Sequence, residues 1–393
     1  MYLVGVDGSE DVLVGMDGSE GVLVGVEGSE DVLVGVDGSE NVLVGVESSE
    51  DVFGRSCPLE TQTKMWETVA MVTLATVCAV TIIMCVFGHV YRLRSRKVFS
   101  TASMQGKTVI ITGASAGIGK ATAFDLAQRK ARLILACRNI KKASYVAAEI
   151  QSSTGNSAVE VRQLDTSSLA SVRAFASRIL AEEHRIDVLV LNAGIGGKNV
   201  RTLTSEGLET TMATNHFGHF LLTNLLLGLL KESAPSRIVV TASMAHTLLT
   251  SLNLKELNFE NAKYWSLQAY AQSKLCNILF ARYLAHLLKD TGVVVNSLCP
   301  GLVATEIFEK GEGFAVKVYG FLAQYVGKTC EQGAQTIIQL TVAEETQNIT
   351  GEFFENCQVS DGATNLAIDD GLAKKVWEAS ELLVGLDPTE QHY

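Results

Sequence analysis

A tyrosine and a lysine four residues apart are the residues of this sequence best suited to proton transfer. Tyr270 and Lys274 lie in the helix-like run AYAQSKLCNILF, which covers Ala269–Phe280. Residues four apart on a helix project from one face, about one turn apart. A free tyrosine has a pKa of about 10, and a neighbouring ammonium group favours the phenolate and lowers that pKa. The pair is either an acid–base device or two residues that share a helix face, and the other motifs discriminate between these readings.

Short apolar strands alternate with helical stretches from Gln105 onward. Helical periodicity is seen in Ser168–His184 and in Glu209–Leu230. Continuous apolar strands separated by helices indicate a parallel sheet that is covered on both faces. We therefore predict a single doubly wound α/β domain of the Rossmann type over residues 105–385, followed by a short tail, 386–393. The strand-like segments are KTVIIT, RLILAC, VEVRQLD, IDVLVLNA, SRIVVTAS and VVVNSLCP.

A glycine cluster joins the first of these strands to the first helix. In VIITGASAGIGKATA, Gly113, Gly117 and Gly119 have the spacing G-x-x-x-G-x-G. Glycine at such a bend allows a tight turn and a close approach of the backbone to a pyrophosphate, which binds at the helix N-terminus. The position of the cluster, after a first strand and before a helix, predicts a dinucleotide site.

The end of the second strand bears on the choice of cofactor. An acidic residue there would hold the ribose 2′-hydroxyl of NAD(H). This strand ends in ILACRN, with Arg138 and no acid. A guanidinium can pair with a 2′-phosphate, so we predict a preference for NADP(H) over NAD(H). The alternative is a solvated arginine at a strand end.

Thr68–Val90 is an uncharged apolar segment of 23 residues. It is long enough to cross the hydrocarbon core of a bilayer as one helix. The basic run RLRSRK, Arg92–Lys97, follows at once and by the positive-inside rule places the C-terminal side in the cytosol. A buried core helix and a cleaved signal peptide are the alternatives. We predict an uncleaved transmembrane anchor with a basic flank over residues 65–97.

Residues 1–50 are five copies of a ten-residue unit, each with an apolar run and an acidic turn of the D-G-S-E type. Residues 1–64 hold 14 acidic residues against two basic ones, Arg55 and Lys64. Repeats of fixed period can stack into a solenoid or a meander. The units are short and have a glycine inside each run, so we favour a disordered acidic extension without function. Met65 is an alternative start, and a scaffold role for the repeats is a further hypothesis.

Composition excludes several classes of function. The net charge is −11, but outside residues 1–64 basic and acidic residues nearly balance, which gives no indication of nucleic-acid binding. The eight cysteines are scattered without paired spacing, which argues against a disulfide framework and against a zinc site. We predict no metal and a reducing compartment.

The motifs taken together resemble the short-chain dehydrogenase/reductase family over residues 105–385. They are TGASAGIG, NAG at Asn192–Gly194, Asn215 in TNHFGHF, Ser243 in VVTASMAH, YAQSK, and PG at Pro300–Gly301. NHFGHFLLTNLLL, LKESAPSRIV and AYAQSKLCNILF are similar to the retinol dehydrogenase branch. GLETT and SKLCNILF are also similar to the WW-domain-containing oxidoreductases, although no WW module is present here.

The resemblance implies a four-residue mechanism. Tyr270 is expected to be the general acid in reduction and the base in oxidation. Lys274 lowers the tyrosine pKa and holds the nicotinamide ribose, while Ser243 hydrogen-bonds the substrate oxygen together with Tyr270. Asn215 holds a water that connects the lysine to solvent. On this reading the Tyr270–Lys274 pair is a proton-transfer device.

The resemblance also assigns cofactor contacts. Beside Gly113, Gly117, Gly119 and Arg138, these are Ser115 and Ile118 along the phosphates, Asp165 at the adenine, Asn192, Ala193 and Gly194 at the adenine ribose, and Pro300, Gly301 and Thr305 near the nicotinamide. Two positions depart from the family pattern. Leu191 replaces the first asparagine of NNAG, and Ala242 replaces the first serine before the substrate. Neither change removes a residue of the four-residue mechanism.

The substrate is inferred from weaker signals. Ile307–Val326 is expected to form a lid over a lipophilic pocket, or else a membrane-contact or dimer surface. The family favours retinal or retinol, with steroids, fatty aldehydes and polyprenals as alternatives. A low-turnover NADP(H)-binding signalling protein is an alternative of a different class. We expect the endoplasmic reticulum or another intracellular membrane as the location. Members of the family often pair through helices, which leaves a homodimer as one of the open oligomeric states. With the domain in the cytosol, the sequon Asn348-Ile349-Thr350 is expected to stay unmodified.

Overall fold

The computed structural model describes the backbone of seven segments of the chain. They are Tyr2–Val4, Val12–Asp17, Gly21–Val26, Val32–Val36, Val42–Val46, 59–305 and 314–393. Side chains are described for residues 63–64, 66–305, 317–318 and 320–393. The chain forms two compact units, Met1–Ile83 and Met84–Tyr393. The domain limits given above stay predictions.

Each decapeptide repeat contributes one strand to an antiparallel sheet. The strands pair in chain order and are β1 (Tyr2–Val4), β2 (Val12–Asp17), β3 (Gly21–Val26), β4 (Val32–Val36) and β5 (Val42–Val46). Their valines and leucines favour strands. The pairs β2–β3, β3–β4 and β4–β5 share one register, with Val14 opposite Val24, Val24 opposite Val34 and Val34 opposite Val44, whereas β1–β2 is shifted by two residues. The disordered acidic extension and the meander alternative both stay predictions for residues 1–64 as a whole. The residues between these strands lie outside the described residues.

One long apolar helix precedes the second sheet. Helix α1 covers Leu59–Leu93, and its stretch Trp66–Leu93 is long and apolar enough to cross a membrane, with a mean hydropathy of 2.5. The most apolar part of this stretch is not buried. The threonine hydroxyls at positions 68, 73, 76 and 81 each donate to the carbonyl four residues earlier, at 2.7–2.8 Å. These hydroxyl groups therefore have hydrogen-bond partners within the helix, as polar groups in a lipid environment require.

The second sheet has eight strands in the order β13-β12-β11-β10-β9-β6-β7-β8. All neighbours are parallel except the edge pair β12–β13. The six apolar segments identified in the sequence form six of these strands. The strands are β6 (Thr108–Thr112), β7 (Arg132–Cys137), β8 (Val159–Gln163), β9 (Val188–Leu191), β10 (Ser236–Thr241), β11 (Val293–Cys299), β12 (Phe353–Glu355) and β13 (Gln358–Val359).

Helices connect the strands and cover both faces of this sheet. They are α2 (Gly117–Gln128), α3 (Ile140–Thr154), α4 (Leu169–Glu182), α5 (Thr210–Met212), α6 (Gly218–Glu232), α7 (Ser266–Leu287), α8 (Phe314–Val326), α9 (Cys330–Val342) and α10 (Asp370–Val384). Short 3₁₀ helices cover Met244–Leu248, Leu254–Glu256, Glu344–Thr346 and Pro388–Glu390. The doubly wound α/β prediction is confirmed. Of the predicted lid, residues 307–313 lie outside the described residues and α8 forms the rest.

The core lies on the two faces of the sheet, because successive residues of each strand point to opposite sides. On β6, Ile110 packs in one apolar cluster, while Val109 and Ile111 pack in the other. The predicted helix Glu209–Leu230 is interrupted: between α5 and α6 the residues Ala213–Phe217 form a π-helical turn. A π turn inserts one residue into the helix and changes the direction in which the neighbouring side chains point.

Candidate active site

The sequence-predicted site residues converge at the carboxyl ends of the parallel strands. Strand β6 ends at Thr112, β9 at Leu191 and β10 at Thr241. From β6 the chain continues to β7 on one side, and it later returns to β9 on the other. In open α/β sheets, ligands bind in the crevice that forms where the strand order reverses in this way.

The glycine turn after β6 brings three segments into close contact. Gly113 has a φ of +71°, and a Cβ at this position would lie 2.8 Å from Ala193 Cα. A Cβ at Gly119 would lie 2.5 Å from Asn192 Nδ2. Side chains at these two positions would separate the turn from the segment Asn192–Gly194, so both positions require glycine.

The N-terminus of α2 is free to receive an anion. The residue that precedes it is Ala116, which has no side chain able to cap the helix, and no acidic residue lies in the first turn. A Cβ at Gly117 would come within 3.4 Å of Thr305 Cγ2, so the segment after β11 also borders the turn. Ser115 and Ile118 are half-buried beside it. Uncapped backbone amides behind a glycine turn fit the pyrophosphate of a dinucleotide.

Arg138 and Asp165 follow the ends of β7 and β8. An Arg138 guanidinium nitrogen lies 3.9 Å from Asp165 Oδ2, and the arginine side chain is 69% exposed. Asp165 Oδ1 accepts hydrogen bonds from the Ser167 amide at 3.0 Å and from its hydroxyl at 2.6 Å. Asp165 is therefore held in place, while most of the Arg138 side chain remains accessible.

Tyr270 and Lys274 are both buried on α7. Lys274 Nζ lies 5.6 Å from the centre of the Tyr270 ring and donates to the Thr241 carbonyl at 3.2 Å. Burial lowers the pKa of Lys274 to about 8, and the nearby Cys299 opposes the shift. The ammonium group thus lies beside the Tyr270 ring in a buried environment, where charges interact more strongly than in water.

Asn215 occupies the centre of the π turn. Its Oδ1 accepts the Ile195 amide at 2.8 Å, and its Nδ2 donates to the Ile195 carbonyl at 3.1 Å and to Ser273 Oγ at 3.0 Å. Its backbone carbonyl accepts from Asn277 Nδ2 at 3.0 Å. A Cβ at Gly194 would lie 3.3 Å from Asn215 Oδ1 and 3.6 Å from Lys274 Nζ. The structure therefore brings Asn215, Lys274 and the NAG segment together.

Ser243 and the Pro300–Gly301 turn lie beyond the next two strand ends. Ser243 precedes the 3₁₀ helix Met244–Leu248, which packs against α7, and its Oγ accepts the Ala245 amide at 3.2 Å. Gly301 has a φ of +86°, a conformation that favours glycine. Two replacements in the family pattern are apolar and buried: Leu191 ends β9, and the Ala242 amide donates to the Leu298 carbonyl.

Three further polar residues support this site and are not identified by the sequence analysis: Thr112, His219 and Asn277. Thr112 Oγ1 accepts the amides of Asn192 at 2.8 Å and Ala193 at 3.0 Å, and it lies 3.0 Å from His219 Nε2. Burial, and secondly the charge of Lys274, lower the pKa of His219 to about 3. Neutral histidine can therefore hydrogen-bond both Thr112 and the Asn215 carbonyl.

Asn277 extends the same network towards the C-terminal helix. Its Nδ2 donates to the carbonyls of Asn215 and Thr241, and its Oδ1 lies 3.1 Å from His216 Nδ1. The other ring nitrogen of His216 lies 2.9 Å from Ser380 Oγ on α10. Burial lowers the pKa of His216 to about 4, although the bond to Asn277 opposes the shift. One sequence signal could have identified His216 and His219: the segment NHFGHF places two histidines in a largely apolar helix.

Comparison with known proteins shows the family of this chain. A family model described as short chain dehydrogenase matches residues 107–255. Human retinol dehydrogenase 11 is 44% identical over 289 residues, which are 73% of this chain and 88% of that protein. The chain belongs to the short-chain dehydrogenase/reductase family. Human retinol dehydrogenase 13 is 41% identical over 73% of this chain and 87% of its own length, which places the chain in the retinol dehydrogenase-like branch.

Solved structures agree with this family membership. A crystal structure of an uncharacterized protein from Mycobacterium paratuberculosis has a TM-score of 0.58 and 32% identity, and the match covers 72% of this chain and 95% of that one. A protein from Shigella flexneri 2a str. 301, described as a short chain dehydrogenase complexed with NADP, has a TM-score of 0.52 and 25% identity over 66% of this chain and all of that one. The chain is thus an oxidoreductase that acts on CH–OH or C=O groups with a nicotinamide cofactor.

Proposed function

We propose that this protein is a membrane-anchored, NADP(H)-dependent reductase or dehydrogenase of lipophilic carbonyls and alcohols, with retinal or retinol as the favoured substrate pair. The observation that carries the proposed reaction is the buried Tyr270–Lys274 pair on α7, with Asn215 hydrogen-bonded next to it. Tyrosine is a useful acid or base near neutral pH only when a positive charge is held close to it.

The residues of the site have separate roles in this proposal. When bound, the nicotinamide supplies or accepts the hydride. Tyr270 donates its phenolic proton to the substrate oxygen in reduction and takes it back in oxidation. Lys274 stabilises the phenolate, and Ser243 donates a hydrogen bond to the substrate oxygen as it becomes negative. The Asn215 side chain bridges the Ile195 backbone and Ser273, which holds this part of the site in place.

Arg138 supports the preference for NADP(H). Its guanidinium lies largely exposed at the end of β7, and its distance to Asp165 is long for an ion pair. It is therefore available to a 2′-phosphate, with which a guanidinium forms charge-assisted hydrogen bonds. The cofactor contacts are proposed to be Ser115 and Ile118 at the phosphates, Asp165 at the adenine, Asn192–Gly194 at the adenine ribose, and Pro300, Gly301 and Thr305 near the nicotinamide.

The choice of substrate rests on the relatives. Several proteins that are 40–44% identical to this chain are named retinol dehydrogenases 11, 12, 13 and 14. The apolar helix Trp66–Leu93 supports a substrate that dissolves in bilayers, because an anchored enzyme works next to its substrate pool. The basic run after this helix supports an orientation with the catalytic domain in the cytosol. The endoplasmic reticulum or another intracellular membrane is proposed from the family resemblance.

Oxidation of NADPH by detergent-solubilised protein, with all-trans-retinal as acceptor, tests the proposal. We expect retinal-dependent loss of NADPH that is faster than loss of NADH at equal concentration. Tyr270→Phe is expected to lower kcat more than about 100-fold while NADPH still binds, since a positioned general acid contributes that much or more. Tyr283→Phe removes a hydroxyl from the same helix and serves as the matched control, with activity close to that of the wild type.

The other outcomes separate the parts of the proposal. NADPH binding without turnover of retinal would leave the cofactor assignment intact. Retinal would then be rejected as the substrate, and steroids, fatty aldehydes or polyprenals would be tested next. No turnover of any carbonyl, with NADPH still bound, would favour the low-turnover signalling alternative. Unchanged turnover in Tyr270→Phe would contradict the mechanism.

A further inference from the structure

Helix α8 exposes an apolar stripe instead of burying it. Val318, Phe321, Leu322 and Tyr325 have the spacing i, i+3, i+4 and i+7, and all four are exposed. Phe321 and Tyr325 are each 57% exposed, with their ring centres 4.7 Å apart. The side of the helix that carries Ala323 and Val326 is buried. An amphipathic helix normally turns such a stripe towards a core, so a stripe that faces outward marks a surface for apolar contact.

The stripe ends beside the last turn of the apolar helix α1. The Arg92 guanidinium donates to the carbonyls of Tyr325 at 2.8 Å and Gly327 at 2.7 Å. A Cβ at Gly88 would lie 2.8 Å from Val326 Cα, so the two backbones are in close contact. With a rise of about 1.5 Å per residue, these contacts lie within a few ångströms of Val90, where the apolar run ends. The C-terminal end of α8 thus lies at the level where apolar residues give way to charged ones.

Positive charge follows immediately along the same segment. Arg94, Arg96 and Lys97 are exposed. Their backbone is fixed to the catalytic unit, because Asn356 accepts the Arg96 amide and donates to the Arg94 carbonyl, each at 3.0 Å. Exposed aromatic rings beside a cluster of cations are typical of the boundary between acyl chains and headgroups.

We propose that the stripe of α8 inserts into the headgroup–acyl boundary of the leaflet that α1 enters, so that the bilayer covers this surface. The proposal rests on the membrane anchoring in the proposed function. It has a consequence for the site, because the residues after α8 are bound to the turn after β11. The Lys328 amide donates to the Leu302 carbonyl at 2.7 Å, and the Ala304 amide donates to the Lys328 carbonyl at 3.1 Å. A lipophilic substrate can then reach the nicotinamide side of the site directly from the bilayer.

Tryptophan quenching by brominated lipid tests this contact in the full-length chain. The background carries Trp66→Phe and Trp265→Phe and keeps the buried Trp377. Phe321→Trp and, separately, Tyr325→Trp place a probe in the stripe. Val77→Trp in α1 is the positive control, and Leu382→Trp, on the exposed side of α10, is the negative control. The vesicles are phosphatidylcholine with some phosphatidylserine, with or without bromine, which is carried close to the headgroup for the stripe probes and near the acyl-chain ends for Val77→Trp.

We expect bromination to lower the emission of both stripe probes roughly two-fold, since interfacial helices lie at the depth of these bromines. The Leu382→Trp emission is expected to stay unchanged. Stripe probes that stay unquenched while Val77→Trp is quenched would overturn this proposal. Membrane anchoring through α1 would still be supported. Blue-shifted but unquenched emission would overturn it in favour of a protein cover, such as a second copy of this chain. If Val77→Trp itself escapes quenching, the anchoring part of the proposed function fails as well.

Discussion

At the residue scale, the site combines a buried lysine with neutral histidines. Lys274 keeps a pKa of about 8, whereas burial lowers the pKa values of His219 and His216 to about 3 and about 4. Between pH 5 and 7.5 the lysine is therefore the main positive charge in this buried network. Because both histidines stay neutral, they can hydrogen-bond backbone and side-chain groups without adding a second positive charge near Lys274.

Burial of the Lys274 ammonium should cost stability in the absence of cofactor. The pKa is lowered from 10.5 to about 8, so the unfolded chain binds more protons than the folded one between these values, and stability rises with pH there. We expect Lys274→Met to stabilise the cofactor-free protein at pH 7 while abolishing turnover. The gain should shrink by about 2 kcal/mol at pH 9.5, because the folded wild type has by then lost the buried charge.

Urea unfolding of both proteins in detergent at pH 7 and pH 9.5 measures this effect. Lys289→Met, at an exposed position of the same unit, is the control and should change stability little at either pH. A Lys274→Met protein that is less stable than the wild type at pH 7 would contradict the prediction. It would show that other interactions of the ammonium group outweigh the cost of burying it.

Thr112 should be needed for its hydroxyl and not for its shape. Thr112→Val leaves the partly buried amides of Asn192 and Ala193 without their acceptor, so we expect a loss of about 2 kcal/mol in the free energy of unfolding. Binding of NADPH should weaken as well, because the NAG segment loses its attachment to β6. Thr112→Ser keeps the acceptor and should stay within about 1 kcal/mol of the wild type. Equal losses in the two variants, by urea unfolding and NADPH titration, would refute this role.

The sequence predicted individual site residues through the order of their motifs, and the structure supports their proximity at Gly113, Asn192, Asn215 and Lys274. Motif order is informative because parallel strands place their carboxyl ends along one edge of the sheet. The Thr112–His219–Asn277 network was missed for a physical reason. Its members bond to backbone groups that become neighbours only after the helices pack on the sheet, and a single sequence has no local pattern for such contacts.

At the element scale, the six long strands and the dinucleotide turn were predictable, whereas the irregular elements were not. Strands β12 and β13 hold only three and two residues, too few to show alternation. Their connecting turn uses positive φ at Asn356 and Cys357, and cysteine gives no turn signal. The π turn at Ala213–Phe217 was missed because one inserted residue hardly alters a helical pattern of apolar residues.

Close packing of α6 against the loop after β8 depends on one glycine. A Cβ at Gly218 would lie 1.9 Å from the Thr166 carbonyl oxygen, so Gly218→Ala must displace the helix. We expect a loss of about 3 kcal/mol or more in the free energy of unfolding. Gly228→Ala, in the same helix, places its Cβ 3.7 Å from the His392 ring, an ordinary contact. That control should gain about 0.5 to 1 kcal/mol, because alanine favours helix over glycine.

Thermal or urea unfolding of the two alanine variants measures the difference. Since Gly218 directly follows the π turn, Gly218→Ala should also move Asn215 and lower kcat, whereas Gly228→Ala should leave kcat unchanged. A Gly218→Ala protein as stable as the wild type would contradict this prediction, because it would mean that α6 can move away from Thr166 at little cost.

At the scale of the whole molecule, a glycosylation sequon can test the proposed orientation in the membrane. Asn348 lies exposed in the sequon Asn348-Ile349-Thr350 of the catalytic unit. A cytosolic domain never meets the glycosylation machinery of the secretory pathway, so we expect no modification. Electrophoretic mobility of the membrane-bound protein should not change on treatment with an endoglycosidase. A shift that the enzyme removes, and that Asn348→Gln abolishes, would reverse the orientation.

The hydrogen bonds at the end of α1 also affect how an active soluble form should be prepared. The Leu302 amide donates to the Tyr91 hydroxyl at 2.9 Å, and Lys328 Nζ lies 5.5 Å from the centre of the Tyr91 ring. Residues at the end of the apolar helix are thus bound to the turn after β11, which we propose to lie near the nicotinamide. A truncated enzyme that starts at Arg94 removes a partner of the turn after β11, whereas one that starts at Met84 keeps Gly88, Tyr91 and Arg92. We therefore expect the form that starts at Met84 to unfold at a higher temperature than the form that starts at Arg94.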